Sequence, residues 1–112
     1  MRNISFQLTT AQIRARSKTV TRRLGWKNLK RGDLLRGCVK CMGLKPGEKI
    51  EPLAVVRVVD VRREPLNTIT GDDCVKEGFP AMSPADFVAM FCEHMDCEPH
   101  VQVTRIEFAY ET

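Results

Sequence analysis

The sequence predicts a small mixed α+β barrel with five to six strands and two to three short helices. Apolar and polar residues alternate over several segments, two other segments carry helix-capping residues, and strands do not alternate regularly with helices. The 112 residues suffice for one modest core but not for two. We therefore expect a single domain over residues 1–112.

Four strands are predicted from the residue pattern. Residues 4–8 and 101–110 alternate apolar with polar side chains, and residues 34–40 are predicted as a strand because a turn at residues 30–33 leads into them. Residues 53–63 are rich in valine, and β-branched side chains favour extended backbone. This last segment is the strongest strand prediction in the chain.

Capping residues mark the predicted helices. Thr70 is a candidate N-cap for a short helix that ends at Gly78. Residues 83–86 place Ser at an N-cap, Pro at the first helical position and Asp at the third, and an apolar stripe follows over residues 87–91. A short basic helix is also predicted from Thr9 or Thr10 to about Ala15. The aromatic and methionine residues of the stripe are interpreted as core.

The net charge of +4 conceals two halves of opposite sign. Residues 1–63 contain 16 Lys and Arg against 4 Asp and Glu, whereas residues 64–112 contain 2 against 10. Clustered cations attract phosphates and other anions, so this asymmetry is compatible with a nucleic-acid partner. It is also compatible with two halves that complement each other inside one fold.

The five cysteines predict neither a disulfide framework nor a metal site. Their number is odd, and no secretory signal precedes them. Cys38 and Cys41 have zinc-like spacing but are placed on a strand, where residues three apart face opposite ways. The Cys and His residues of 92–100 are spaced too tightly for the usual structural zinc patterns. No apolar run spans a bilayer, and we expect a cytoplasmic protein.

Residues 17–23 contain three cationic side chains together with hydroxyls, so catalysis and anion binding are both chemically feasible there. In a strand, Thr21 and Arg23 share one face while Val20 faces the core. Lys18 can then join Thr21 only from a turn that precedes the strand. Two adjacent arginines cannot both be buried and paired with carboxylates inside a small fold without a large free-energy cost, which favours a binding role for them. The predicted binding residues are Arg16, Arg22, Arg23, Trp26 and Lys27.

Five blocks carry a resemblance to a known family. In chain order they are Lys18-Thr19-Val20-Thr21-Arg22-Arg23, Arg31-Gly32-Asp33, Glu77-Gly78-Phe79, Ser83-Pro84-Ala85-Asp86-Phe87 and Val103-Thr104-Arg105-Ile106-Glu107-Phe108. In order and spacing they resemble the ASCH family, which belongs to the PUA-like superfamily of small β-barrels associated with RNA. The resemblance implies a PUA-like barrel and a ligand that is a modified nucleoside or RNA, with no cofactor.

The general ASCH signature is Gly-x-Lys-x-x-Glu-x-Arg. Lys18 and Arg23 stand at its Lys and Arg positions, while Arg16 replaces the Gly and Thr21 replaces the Glu. Gly tolerates backbone angles that Arg does not, so the first departure bears on the turn before Lys18. ASCH members that resemble small amidohydrolases acting on N4-acetylcytidine carry Thr at the second position. They combine it with the motif Lys and a Glu that Glu77 matches.

Amide hydrolysis requires a nucleophile, a base and a proton for the departing amine. The resemblance suggests Thr21 as nucleophile, Lys18 as base and Glu77 as a positioning group or proton relay. Burial and the nearby cations Arg22 and Arg23 would lower the pKa of Lys18, and the charge of Glu77 would oppose that shift. An arginine or a backbone N–H would hold the oxyanion.

A non-catalytic RNA-binding module, or an RNA-cleaving one, is the alternative. Lys18 would then contact phosphate, Thr21 would be an ordinary strand hydroxyl, and Glu77 would pair with Arg23. Trp26 has two interpretations as well, since it can cover the core or stack on a base.

Overall fold

The computed structural model of the protein describes residues 1–111, which form a curled five-stranded sheet and three short α-helices. The strands are β1 (Arg2–Ser5), β2 (Val20–Arg23), β3 (Leu34–Cys38), β4 (Pro52–Pro65) and β5 (Gln102–Tyr110). The α-helices are α1 (Thr10–Arg14), α2 (Gly71–Lys76) and α3 (Pro84–Met95), and 3-10 turns cover Gln7–Thr9 and Leu66–Thr68. The predicted class, a small mixed α+β barrel, is confirmed in the form of a half-barrel.

The strand order across the sheet is β1-β3-β4-β5-β2. β1 and β3 run parallel, and the other neighbouring pairs run antiparallel. β4 spans 14 residues and pairs with both β3 and β5, with a register shift against β5 between Val58 and Asp60. Such an irregularity bends the strand and increases its twist, which helps the sheet to curl.

The expectation that the chain is too short for two cores is wrong, because alternate residues of β5 contribute to two separate hydrophobic cores. Ile106 and Phe108 belong to the first core, while Val103 belongs to the second. The first core consists of Ile4, Phe6, Ile13, Leu29, Leu35, Val56, Val58, Ile106 and Phe108. The second, which includes residues of α2 and α3, consists of Leu66, Ile69, Cys74, Phe87, Phe91 and Val103.

The predicted caps of α2 and α3 are confirmed. The Thr70 hydroxyl accepts from the Asp73 N–H at 3.2 Å, and the Ser83 hydroxyl accepts from the Asp86 N–H at 3.1 Å. Each side chain thereby satisfies one N–H at a helix start that has no partner within the helix.

The first predicted strand is wrong in its extent. It covers residues 2–5 instead of 4–8, because the chain turns at Phe6 into the 3-10 turn and leaves Leu8 54% exposed. The expected cap of α1 is also absent: Thr9 makes no side-chain cap, and the Thr10 hydroxyl donates to the Phe6 carbonyl. β3 ends at Cys38, so the strand that was predicted to reach residue 40 is shorter.

None of the helices in residues 1–111 is long and apolar enough to cross a membrane.

Candidate active site at the end of helix α2

The C-terminus of α2 presents Glu77 to the interior. The Gly78 N–H donates to the Val75 carbonyl at 2.9 Å and the Phe79 N–H to the Cys74 carbonyl at 2.9 Å, which is the Schellman pattern of helix termination. Gly78 adopts φ +96°, the left-handed conformation that this motif requires. The helix therefore stops at a fixed point and leaves the Glu77 side chain 3% exposed.

The segment before β2 docks on this helix end. The Thr19 N–H donates to the Lys76 carbonyl at 2.8 Å, and Lys18 Nζ donates to the Glu77 carbonyl at 2.8 Å. Both carbonyls are at the end of α2, where they have no partner within the helix and where its dipole favours a cation. Lys18 also donates to Glu77 Oε1 at 2.7 Å. β2 begins only at Val20, so Lys18 lies before the strand, as the sequence required.

Glu77 is the first carboxylate of a buried ionic network. Its Oε2 accepts from Arg22 at 3.1 Å, and the same guanidinium contacts Asp73 at 2.5 Å and Glu64 at 3.1 Å. The Arg22 side chain is 0% exposed. The charge of Arg22 is thus met by three carboxylates, whereas within residues 1–111 no salt bridge involves Arg23, so the two adjacent arginines are not both paired inside the fold.

Asp73 lies between two arginines that are directly opposite each other on neighbouring strands. Arg22 of β2 and Arg105 of β5 are register partners, an arrangement that is unfavourable for like charges. Asp73 Oδ2 accepts from both Arg22 and Arg105, at 2.5 and 2.7 Å, and Oδ1 accepts a second bond from Arg105 at 3.0 Å. The Asp73 carboxylate on α2 thus bridges β2 and β5 through its hydrogen bonds to Arg22 and Arg105.

The network shifts the pKa of its members in directions that follow from the contacts. Burial lowers the pKa of Lys18, and Arg23 and Arg22 add to this effect while Glu77 opposes it. Hydrogen bonds from Arg105 and Arg22 hold the pKa of Asp73 well below its ordinary value. Lys18 is therefore the member whose charged form the fold disfavours.

A cavity of about 240 Å³ opens beside these residues. Lys18, Thr21, Arg22, Arg23 and Glu77 line one part of it, and an aromatic and methionine wall from α3 and the segment before it lines another. That wall consists of Phe79, Phe87, Met90, Phe91 and Met95. The combination of a few polar groups with an apolar wall is typical of a small-molecule site.

Lys18, Thr21 and Glu77 thus border one cavity. The Thr21 hydroxyl accepts from Arg23 Nε at 3.2 Å, and within residues 1–111 no hydrogen bond joins it directly to Lys18. The alternative interpretation of Glu77 as the partner of Arg23 is wrong, since its carboxylate pairs with Lys18 and Arg22.

The other three predicted binding residues do not line the cavity. Arg16 is exposed and lies over the Tyr110 ring, with its guanidinium carbon 5.3 Å from the ring centroid. Trp26 is half-buried against the first core with Arg2 over its ring at 4.1 Å, and Lys27 is exposed. The contacts of Trp26 favour its interpretation as a residue that covers the core.

Sequence reasoning missed Asp73 and Arg105 as parts of the site. No role is predicted for Asp73 from the sequence, but Asp73 lies four positions before Glu77 on one helix face. That spacing was the available signal. No local sequence signal indicated Arg105, because its register with Arg22 depends on the pairing of strands that are distant in sequence.

Within residues 1–111 no three His, Cys, Asp or Glu side chains converge in the manner of a metal site. The sulfurs of Cys92 and Cys97 lie 3.9 Å apart. The strand argument used against Cys38 and Cys41 is wrong, because β3 ends at Cys38 and Cys41 lies beyond it. The absence of a metal cofactor stays a prediction.

Comparison with solved structures identifies the fold. An ASCH domain from Lactobacillus crispatus superposes with a TM-score of 0.66 at 15% identity, over 97% of this chain and 78% of that one. A protein from Enterococcus faecalis, described as DUF984, gives 0.66 at 14% identity over 99% and 76%. The chain has the ASCH-domain fold. The PUA-like architecture implied by the motif blocks is thereby confirmed.

A third solved structure, that of the hypothetical protein PH0355, superposes with a TM-score of 0.65 at 16% identity over 98% of this chain and 96% of that one. No family model matches the sequence, and no curated protein does. At these identities the comparisons establish the fold alone.

Proposed function

We propose that this protein is a small amidohydrolase that removes the acyl group from an N4-acylated cytosine nucleoside such as N4-acetylcytidine. The observation that carries the proposal is the shared cavity, which Lys18, Thr21 and Glu77 line together with the aromatic wall. Its volume of about 240 Å³ suits a single base with a small substituent. Drug-sized ligands occupy larger pockets, of about 300–1,000 Å³.

In this mechanism the Thr21 oxygen attacks the acyl carbon and its proton passes to the neutral amine of Lys18. Collapse of the intermediate breaks the bond between the acyl carbon and N4, and Lys18 returns the proton to the departing amine. Water then attacks the acyl-threonine, again with Lys18 as base. The products are the free cytosine nucleoside and a carboxylic acid.

The contacts of Lys18 support its role as the base. Burial lowers its pKa, which increases the fraction of neutral amine near neutral pH. Glu77 holds Nζ through its carboxylate and its backbone carbonyl. Two acceptors on one residue fix the position of the amine while it gains and loses a proton.

An absorbance assay of N4-acetylcytidine hydrolysis tests the proposal. We expect turnover by the wild type, whereas kcat should fall about 100-fold or more in Lys18→Ala and in Thr21→Val. Lys30→Ala, which removes an exposed lysine remote from the cavity lining, is the matched control and should retain full activity. Wild-type protein without turnover, or variants within a few-fold of it, would contradict the proposal.

A second candidate is a non-catalytic RNA-binding module. The observation that favours it is the set of exposed cations in the N-terminal half, which includes Arg16, Lys27, Arg31 and Arg36. Such a surface would contact several phosphates, so affinity for single-stranded RNA would fall steeply as salt increases. Tight RNA binding with a steep salt slope, without nucleoside turnover, would favour this alternative.

A further inference from the structure

Arg23 differs from the other cations of the site in its partners. Within residues 1–111 no carboxylate lies within salt-bridge distance of its guanidinium. Its Nε donates to the Thr21 hydroxyl at 3.2 Å, and one terminal nitrogen donates to the Ser5 carbonyl at 2.6 Å. The guanidinium carbon lies 5.2 Å from the centre of the Phe6 ring. Its contacts are therefore neutral.

When Lys18 is protonated, the enclosed charges around Arg23 balance without it. Three cations are then matched by three carboxylates, and their side chains are between 0 and 16% exposed: Lys18, Arg22, Arg105, Glu64, Asp73 and Glu77. Arg23, which lines the cavity, is the additional positive charge. In the proposed reaction Lys18 starts neutral and takes up a proton as Thr21 attacks, so the charge of Arg23 becomes uncompensated in that step, and a ligand oxygen that gains negative charge would compensate it.

Burial without a charged partner is unfavourable for Arg23. Its pKa is lowered to about 10, chiefly by burial, with weaker opposition from Glu77. The guanidinium still carries its charge at neutral pH. An uncompensated charge in a partly closed site interacts strongly with an anionic group that forms beside it.

We propose that Arg23 binds the acyl oxygen of the substrate and stabilises the oxyanion that forms when Thr21 attacks. This inference rests on the proposed deacylation and assigns its oxyanion-binding group. In that step the bond between the Thr21 oxygen and the acyl carbon forms, and the threonine proton moves to Lys18. The carbonyl π electrons move to the oxygen that faces Arg23. The net charge of the site is unchanged, because Lys18 gains the charge that the oxyanion offsets.

The Arg23–Thr21 hydrogen bond adds a second contribution. A guanidinium that donates to a hydroxyl stabilises the alkoxide more than the alcohol, since charge-assisted hydrogen bonds are the stronger ones. Arg23 therefore assists the nucleophile as well as the oxyanion. Both contributions arise in the transition state, so its removal should lower kcat more than it raises KM.

The first test compares Arg23→Gln with Arg14→Gln in the nucleoside assay. Arg14→Gln also removes one positive charge, but Arg14 is an exposed residue paired with Glu51 and does not line the cavity. For Arg23→Gln we expect kcat to fall about 100-fold or more, with KM within a few-fold of wild type. Activity of Arg23→Gln equal to that of Arg14→Gln would overturn the role of Arg23.

The second test uses wild-type protein, so it gives a result even when the Arg23→Gln variant does not fold. Acetate, the product from an acetylated substrate, is titrated while the arginine Nε–H resonances are followed by NMR. We expect a saturable shift of the Arg23 resonance, and absence of that shift would overturn the proposal. Wild-type protein that binds acetate at Arg23 but does not turn over substrate would instead contradict the deacylase function.

Discussion

Lys18 and Glu77 are linked twice, through the Glu77 carboxylate at 2.7 Å and through its backbone carbonyl at 2.8 Å. The second bond satisfies a helix-end carbonyl, so the same contact that completes α2 positions the candidate base. Glu77 therefore has two separable effects on Lys18. Its carbonyl holds the amine in place, and its carboxylate raises the pKa of Lys18 against the effect of burial.

Glu77→Gln should move the pH profile of deacylation to lower pH. The reaction needs the neutral amine, so kcat/KM of the wild type rises as pH passes upward through the pKa of Lys18. That pKa already lies below 10.5 because of burial, and removal of the Glu77 charge lowers it further. The measurement is the acid limb of kcat/KM against pH.

Glu64→Gln is the matched control for that profile. It removes the same charge from the same network, but Glu64 contacts Arg22 and Arg62 and not Lys18. Its acid limb should coincide with that of the wild type. An unmoved limb in Glu77→Gln would contradict the assignment of Lys18 as the base.

Asp73→Asn should destabilise the protein by roughly 3 kcal/mol at neutral pH, since it weakens a buried contact to two arginines at once. Asp72→Asn, one residue earlier in the same helical turn but exposed, should change stability by less than about 0.5 kcal/mol. The free energy of unfolding from urea titrations measures both. Equal losses in the two variants would show that the helix dipole, and not the arginine contacts, accounts for Asp73.

The stabilisation by Asp73 should also depend on pH. Its pKa is lower in the folded protein than the ordinary 3.8, so the folded state binds fewer protons and the contribution is fully present above that value. It is lost as pH falls below about 3.8. The stability difference between wild type and Asp73→Asn should therefore narrow between pH 5 and pH 2, and a constant difference would contradict this account.

Gly78→Ala should lower both stability and activity. A Cβ at Gly78 would lie 2.8 Å from Gln12 Cγ, and φ +96° is unfavourable for alanine. We expect a loss on the order of 1–3 kcal/mol and a misplaced Glu77. Gly71→Ala, where no atom lies within 4 Å, is the control and should be neutral or stabilising. Similar thermal melts for the two variants would argue against a constrained helix end.

Much of the fold followed from local signals. The caps at Thr70 and Ser83 and the valine-rich strand were predictable because each depends on residues close in sequence. The first strand was not, because the alternation of residues 4–8 continues through a turn that the backbone makes at Phe6. Hydrophobic alternation does not report where a chain bends.

The site was predictable only in part, for a similar reason. Lys18 and Glu77 are 59 positions apart, and the family resemblance alone linked them. The Arg22–Asp73–Arg105 arrangement depends on strand register and on where α2 docks, neither of which the sequence encodes locally. Phe87 and Phe91 were correctly interpreted as core, yet they also line the cavity, because the second core borders it directly.

The backbone at Arg16 provides a further test. Arg16 occupies the Gly position of the ASCH signature and adopts φ +58°, so this position is left-handed without glycine. This conformation is unfavourable for residues with a Cβ, by roughly 1–2 kcal/mol. Arg16→Gly should therefore be more stable than Arg16→Ala by about 1 kcal/mol, with both variants losing the contact to Tyr110 equally.

At Arg14, which is helical, the order should reverse, because glycine is disfavoured in helices by about 1 kcal/mol. Urea titrations of the four variants measure their free energies of unfolding. If the alanine variant were more stable than the glycine variant at both positions, the left-handed turn before Lys18 would be contradicted.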